Sequence, residues 1–189
     1  MKTSYLNLLD DDQKHILMVY SLYTDEVNLS YLQYTAACAL IFYLSKEGFF
    51  KYNQEELLVY DYLESRLYIW ESKKFMTDIN ILRDHGFLIR ARCKSKNTRD
   101  VNTHQCSEEG REYLNHVLKN SKNTFEIFNS MKNVLSCENN HLKKIRLQED
   151  GPYLDCGTHK YLINGFIKDF NQPNASRKIK KREYSPFFL

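Results

Sequence analysis

The sequence predicts a mainly α-helical fold that carries one small β-hairpin, and three observations lead there. Turn residues are scarce, with only six Gly and three Pro among 189 residues, and Leu, Glu and Lys are plentiful. Four stretches before residue 86 space their apolar side chains as helices do. After Gly86 the period drops to two in FLIRARC, and VNTHQC returns after the polar turn KSKNTRD.

The first helix lies within residues 4–23, clearest over 11–23, and carries Leu6, Leu9, Ile16, Leu17, Val19 and Tyr20. Residues 29–46 form the most apolar helix, with Tyr31, Leu32, Tyr34, Ala37, Leu40, Ile41 and Leu44 near helical spacing and Gly48 as its stop. So broad an apolar surface makes it the central helix, with Cys38 in the core. Residues 54–69, QEELLVYDYLESRLYI, are expected as a third helix, with Glu55 and Glu56 in the first turn, where the helix dipole favours acids. A fourth is expected over 72–85. Ser72 is its N-cap, Phe75, Ile79 and Leu82 share one face, and Gly86 takes the C′ position. Beyond the hairpin, Ser107 caps SEEGREYLNHVL, and the helix resumes through TFEIFNSMKNVL after an interruption near 119–123.

Composition narrows the class. At 42% hydrophobic, with 14 Tyr and 11 Phe, the chain has material for a real core. No apolar run approaches the ~20 residues of a membrane span, and MKTSYLNLLDDDQK lacks the apolar centre of a signal peptide, so a soluble intracellular protein is expected. Its five cysteines are then read as thiols or metal ligands rather than disulfides. Charge is uneven: residues 1–64 hold ten acids and four bases, net −6, and residues 65–189 hold fourteen and twenty-three, net +9. A basic half of this kind suits a polyanion.

Helices followed by a two-stranded hairpin and another helix follow the layout of a winged helix-turn-helix core with flanking helices and a C-terminal extension. The wording is familiar too. FMTDINILRDHGFLIRARC followed by HQCSEEGREYL resembles the PadR- and MarR-like transcription regulators, in which a helix ending Leu-x-x-x-Gly-Leu-Ile enters the wing and Thr-x-x-Gly-x-x-x-Leu follows it. Here Leu82, Gly86, Phe87, Leu88, Ile89, Ser107, Gly110 and Leu114 meet that pattern, with Ser in place of Thr and no Tyr just before the wing. The resemblance covers about residues 30–115 and implies four parts: an N-terminal helical segment at 1–28, a winged-helix domain at 29–118, a C-terminal helix suited to dimerisation at 119–136, and an extension at 137–189 with a basic tail.

In winged helices that bind DNA, the helix before the wing enters the major groove and the hairpin reaches the backbone. On that helix Lys73, Lys74, Thr77 and Asn80 would face outward to phosphates and base edges, with Asp78 and Asp84 on the same face as opposing charges. On the wing, Arg90, Arg92, Lys94, Lys96 and Arg99 meet only Asp100 in opposition, and a phosphate backbone supplies their counter-charge. The resemblance also implies a homodimer, joined through residues 11–23 and 113–135, on double-stranded DNA. The rival readings are a winged-helix subunit of a larger assembly that touches protein rather than DNA, and a replication-initiation protein. Nothing in the chain suggests an enzyme: there is no phosphate-binding Gly loop, no Gly-x-Ser-x-Gly elbow and no His-Glu-x-x-His.

The extension offers Cys137-x3-His141 and Cys156-x2-His159, which a turn at Glu149–Pro152 would bring together. Two alternatives stand there: a zinc site of Cys137, His141, Cys156 and His159, or four unliganded side chains. Cys93 and Cys106 would sit on opposite wing strands, as ordinary thiols or as a redox pair. RKIKKR at 177–182 reads as a phosphate contact, a nuclear address in a eukaryote or a solvated tail, and the expected location in a prokaryote is the cytoplasm and nucleoid.

Overall fold

A computed structural model describes residues 6–26, 31–52, 57–62, 65–70, 72–90, 103–148 and 151–168. The first helix, α1, spans Asp11–Ser21 and runs into a π-helical turn at Leu22–Glu26. Its start is fixed by a capping box: Asp10 accepts from the Gln13 amide, and the Gln13 side chain accepts from the Asp10 amide. His15 to Tyr20 are all buried, so α1 runs through the core rather than along a face left open for a partner.

The apolar helix α2 covers Tyr34–Lys46 and starts later than its apolar pattern suggested. Leu32 and Gln33 instead form a short strand, β1, which pairs antiparallel with His104 and Thr103. A run of apolar residues carries no mark of where helix gives way to strand; the backbone groups of Thr103 and His104 decide it. Cys38 is fully buried in α2, as expected.

The expected third helix is absent from the described part of its range. Residues Leu57–Tyr62 (β2) and Ser65–Trp70 (β3) form an antiparallel hairpin with Val59 opposite Tyr68 and Tyr60 opposite Leu67. The composition explains it: Val59, Tyr60, Tyr62, Tyr68, Ile69 and Trp70 are residues that suit a pleated surface better than a helix. Ile167–Lys168 (β9) adds a third strand beside β3, and Trp70 packs on Phe42 of α2 with ring centroids 5.5 Å apart. Glu55 and Glu56, assigned to a first helical turn, lie outside the described residues.

Helix α3 spans Lys73–Asp84, in agreement with the sequence, with Phe75, Ile79 and Leu82 buried. Ser72 takes the N-cap position without a side-chain capping bond. Gly86 adopts φ 75°, the left-handed conformation that costs glycine nothing. The strands expected after Gly86 are Leu88–Arg90 (β4) and Thr103–Cys106 (β5), and the sheet order is β1-β5-β4. Then come α4 (Glu108–Asn120) and α5 (Lys122–Leu135), separated at the extended Ser121, where the interruption was expected. A three-stranded meander follows, before β9: β6 (Lys144–Gln148), β7 (Gly151–Asp155) and β8 (Lys160–Leu162), in the order β6-β7-β8. Helices and small antiparallel sheets thus share the fold, which is mixed rather than mainly helical.

Candidate nucleic-acid interface

The β4–β5 pair is anchored by local contacts around Gly86 and Ser107. Ser107 accepts from the Gly110 amide at 2.9 Å and donates from its hydroxyl to the Gly86 carbonyl at 2.6 Å. Its own amide donates to the Phe87 carbonyl at 3.0 Å, and Arg111 donates to the Cys106 carbonyl at 2.9 Å. One serine therefore closes α4 and ties it to the residue that ends α3. Phe87 stacks on Tyr113 at 4.7 Å, so the start of β4 is held by packing as well as hydrogen bonds.

On α3, Lys73, Thr77 and Asn80 are exposed, as the sequence implied. The Thr77 hydroxyl donates back to the Lys73 carbonyl at 3.0 Å, and Arg83 donates to the Asn80 side-chain oxygen at 3.3 Å. Arg90 ends β4 and is exposed opposite His104. Arg92, Lys94, Lys96 and Arg99 lie outside the described residues.

One assignment on α3 needs correction. Asp78 does not face outward: it is 2% exposed and forms the centre of a buried polar cluster. Gln13 donates to it at 3.0 Å, the Tyr52 hydroxyl at 2.8 Å and Lys74 at 2.8 Å. Lys74 is exposed, as the sequence implied, with 45% of its side chain accessible, but its charge is paired within the chain. Its ammonium lies 3.0 Å from Asp12 and 3.6 Å from Asp10, both from the acidic N-terminal part. Burial alone would lower the Lys74 pKa, but hydrogen bonds to Asp78 and Asp12 outweigh it and hold the ammonium charged. Burial and the Asp78 carboxylate likewise keep the Tyr52 phenol protonated. An i, i+4 pair on a helix reads in sequence as solvated surface. The signal that went unused was Asp78 standing beside Ile79 on the stripe of Phe75 and Leu82.

In the central strand β5 sits His104, 3% exposed, with no hydrogen-bond partner for either ring nitrogen among the described residues. Burial lowers its pKa to about 4, and the charges of Arg83 and Arg90 push the same way. The positive charges of Arg83 and Arg90 thus both disfavour a proton on that ring.

The cysteine and histidine pairs of the extension are brought together by the meander, but not as a metal centre. Cys137 and Cys156 form a disulfide with Cα atoms 5.8 Å apart, which corrects their reading as thiols or ligands. His141 and His159 offer only their backbone carbonyls there, to the Cys137 amide at 2.8 Å and the Cys156 amide at 2.9 Å, and their side chains are exposed. Among the described residues no group of three or more His, Cys, Asp or Glu is placed to hold a metal. On the wing, Cys106 stands opposite Leu88, and its suggested partner Cys93 lies outside the described residues. The basic cluster 177–182 lies outside them as well. No described helix is long and apolar enough to cross a membrane.

Residues 12–161 match the Uncharacterized protein MJ1567 family, and the chain belongs to that family. No curated protein and no solved structure matches it.

Proposed function

We propose that the unit from β1 to α4 is a winged helix that binds double-stranded DNA as a transcription regulator, with α3 toward the major groove and the wing on the backbone. The observation that carries this reading is the sheet order β1-β5-β4 laid against α1, α2 and α3, with Arg90 exposed on β4 in register with His104 of β5. Exposed Lys73, Thr77 and Asn80 supply donors on α3, and the wing sequence adds Arg92, Lys94, Lys96 and Arg99. The β2-β3 hairpin is an insertion between the two helices of the helix-turn-helix.

A homodimer belongs to the same proposal. Because α1 is consumed by its own core, the joining surface is assigned to α4 and α5, where Phe125 is 48% exposed. Sedimentation giving a monomer at high micromolar concentration removes this part.

A protein-binding winged helix is the second reading, and the internal neutralisation of Lys74 favours it. Titration of a mixed-sequence duplex of about 30 base pairs at several salt concentrations separates the two. The DNA reading expects binding that weakens steeply with salt and is lost in the R92E/K94E/K96E variant. Binding that this variant leaves unchanged would falsify it.

A further inference from the structure

The backbone holds two histidines beside the Cys137–Cys156 bond. Asp155 pairs with Lys160 across β7 and β8, so the next pair toward the turn is Cys156 with His159. Ser136 pairs with Leu142, so the next pair toward that turn is Cys137 with His141. Both steps are closed by a hydrogen bond from the cysteine amide to the histidine carbonyl, at 2.8 Å for Cys137 and 2.9 Å for Cys156. Asn140 at φ 62° and Gly157 at φ 85° take the left-handed conformation that lets both turns be this short. Partners across antiparallel strands project to the same side. Each histidine therefore leaves its hairpin on the side of its cysteine, and the disulfide brings the two cysteines together with Cα atoms 5.8 Å apart.

A cross-link accounts for the cysteines and leaves the histidines without a reason. Both rings are exposed, and both cysteines are half-buried, within reach of a small reductant. His159 Nδ1 lies 3.1 Å from the Thr158 hydroxyl oxygen, and the ring stacks on Tyr161 with centroids 6.5 Å apart. An Nδ1–H donated to Thr158 would fix the neutral tautomer whose free nitrogen is Nε2. While the S–S bond is closed the sulfurs are not thiolates, and no metal-holding group exists among the described residues.

We propose that reduction converts this joint into a zinc site of Cys137, His141, Cys156 and His159, so that the meander is fastened by a disulfide when oxidised and by metal when reduced. Two thiols of a small-molecule reductant supply two electrons and two protons. The S–S bond breaks, both cysteines become thiols, and the reductant leaves as its own disulfide. Zinc then displaces the two thiol protons to solvent and keeps its oxidation state. Two thiolates balance the charge of the ion, and two neutral imidazoles complete a tetrahedral set. Thiolate and imidazole ligands select zinc over magnesium or calcium, which take oxygen ligands. At Zn–S bonds of about 2.3 Å the sulfurs must part to roughly 3.8 Å, a change that rotation about Cα–Cβ can supply. The inference does not rest on the winged-helix reading.

The test is zinc titration of the full chain against a chromophoric chelator, with the protein reduced by a phosphine or left oxidised. Expected is about one zinc per reduced chain with a Kd below about 1 µM, and at least about tenfold less zinc on the oxidised chain. Zinc should also raise the urea midpoint of the reduced chain. H141A/H159A should weaken zinc at least about tenfold while its disulfide still forms and its oxidised urea midpoint is unchanged, which shows that the variant folds. C137S/C156S should abolish binding. Failure of the reduced chain to take up zinc overturns the proposal, as does uptake that H141A/H159A leaves unchanged. Zinc retained by C137S/C156S, or bound equally by the oxidised chain, overturns it too, because the metal would then sit elsewhere.

Discussion

A Cβ placed on Gly110 would overlap the carbonyl oxygen of Phe87 and lie 3.1 Å from the Cys106 sulfur. Helix α4 therefore touches the start of the β4–β5 pair through a residue that has no side chain. That contact gives the Ser-x-x-Gly motif its reason: Ser107 binds the Gly86 carbonyl while Gly110 makes room for the next one.

Gly110→Ala accordingly opposes two effects. Helix propensity alone would favour alanine by about 1 kcal/mol. Backbone overlap outweighs it, because the Phe87 oxygen is held by the Ser107 amide and cannot turn aside. We expect a net destabilisation of about 1–3 kcal/mol in urea unfolding. A stabilised variant would show that α4 is free to shift.

Asp78→Ala strands the Tyr52 hydroxyl and the Gln13 amide, while the exposed Lys74 ammonium keeps Asp12 at 3.0 Å. The expected loss is about 2–4 kcal/mol by denaturant unfolding, from two buried donors left without an acceptor. Tyr52→Phe removes one of the three bonds and should cost about 1 kcal/mol.

If the duplex reading holds, Arg90 and Lys74 should behave differently. Arg90→Ala is expected to lower affinity across sequences and reduce the salt slope by about 1. Lys74→Ala should leave that slope unchanged, since Asp10, Asp12 and Asp78 already surround the ammonium. Equal slope changes would mean that Lys74 leaves its carboxylates to reach phosphate.

His104 makes the fold acid-sensitive. Its pKa falls from 6.5 to about 4 on folding, so above pH 6.5 the ring is neutral in both states and stability is fully present. Between 6.5 and 4 the unfolded chain takes up a proton that the folded one refuses, and stability declines. The loss contributed by this residue is on the order of 3 kcal/mol at pH 4. Urea midpoints against pH should show the decline in the native protein and a shallower one in His104→Leu.

The Cys137–Cys156 bond closes a loop with a sequence separation of 19. Alkylation of the denatured, unreduced protein should spare both cysteines and label them after reduction. Reduction should cost about 3 kcal/mol of stability, through the entropy regained by the opened loop.

Much of the architecture was legible where the cause is local. Gly86 and Ser107 mark their helix ends because each acts on backbone groups within a few residues. The break at Ser121 and the apolar stripe of Phe75, Ile79 and Leu82 were equally readable. The stretch 57–70 was not, because Leu57, Leu58 and Leu67 suggest a helix face while Val59, Tyr60, Tyr68 and Ile69 suit strands. Pairing with β9, about a hundred residues later, favours the strands. The extension was half legible: its turn and the meeting of Cys137 with Cys156 followed from the spacing, but their chemistry did not.

By itself the sequence determined where most helices begin and end, the turn into the wing and the crowding of positive charge after residue 65, all consequences of short-range sterics and composition. Only the tertiary structure decided which charges stay available to a partner. Asp78 is buried because Gln13 and Tyr52 reach it from 65 and 26 residues away, and Lys74 is neutralised by carboxylates from α1 and the residue before it. The energy of a buried charge depends on every group around it, and those groups are assembled only when the chain has folded.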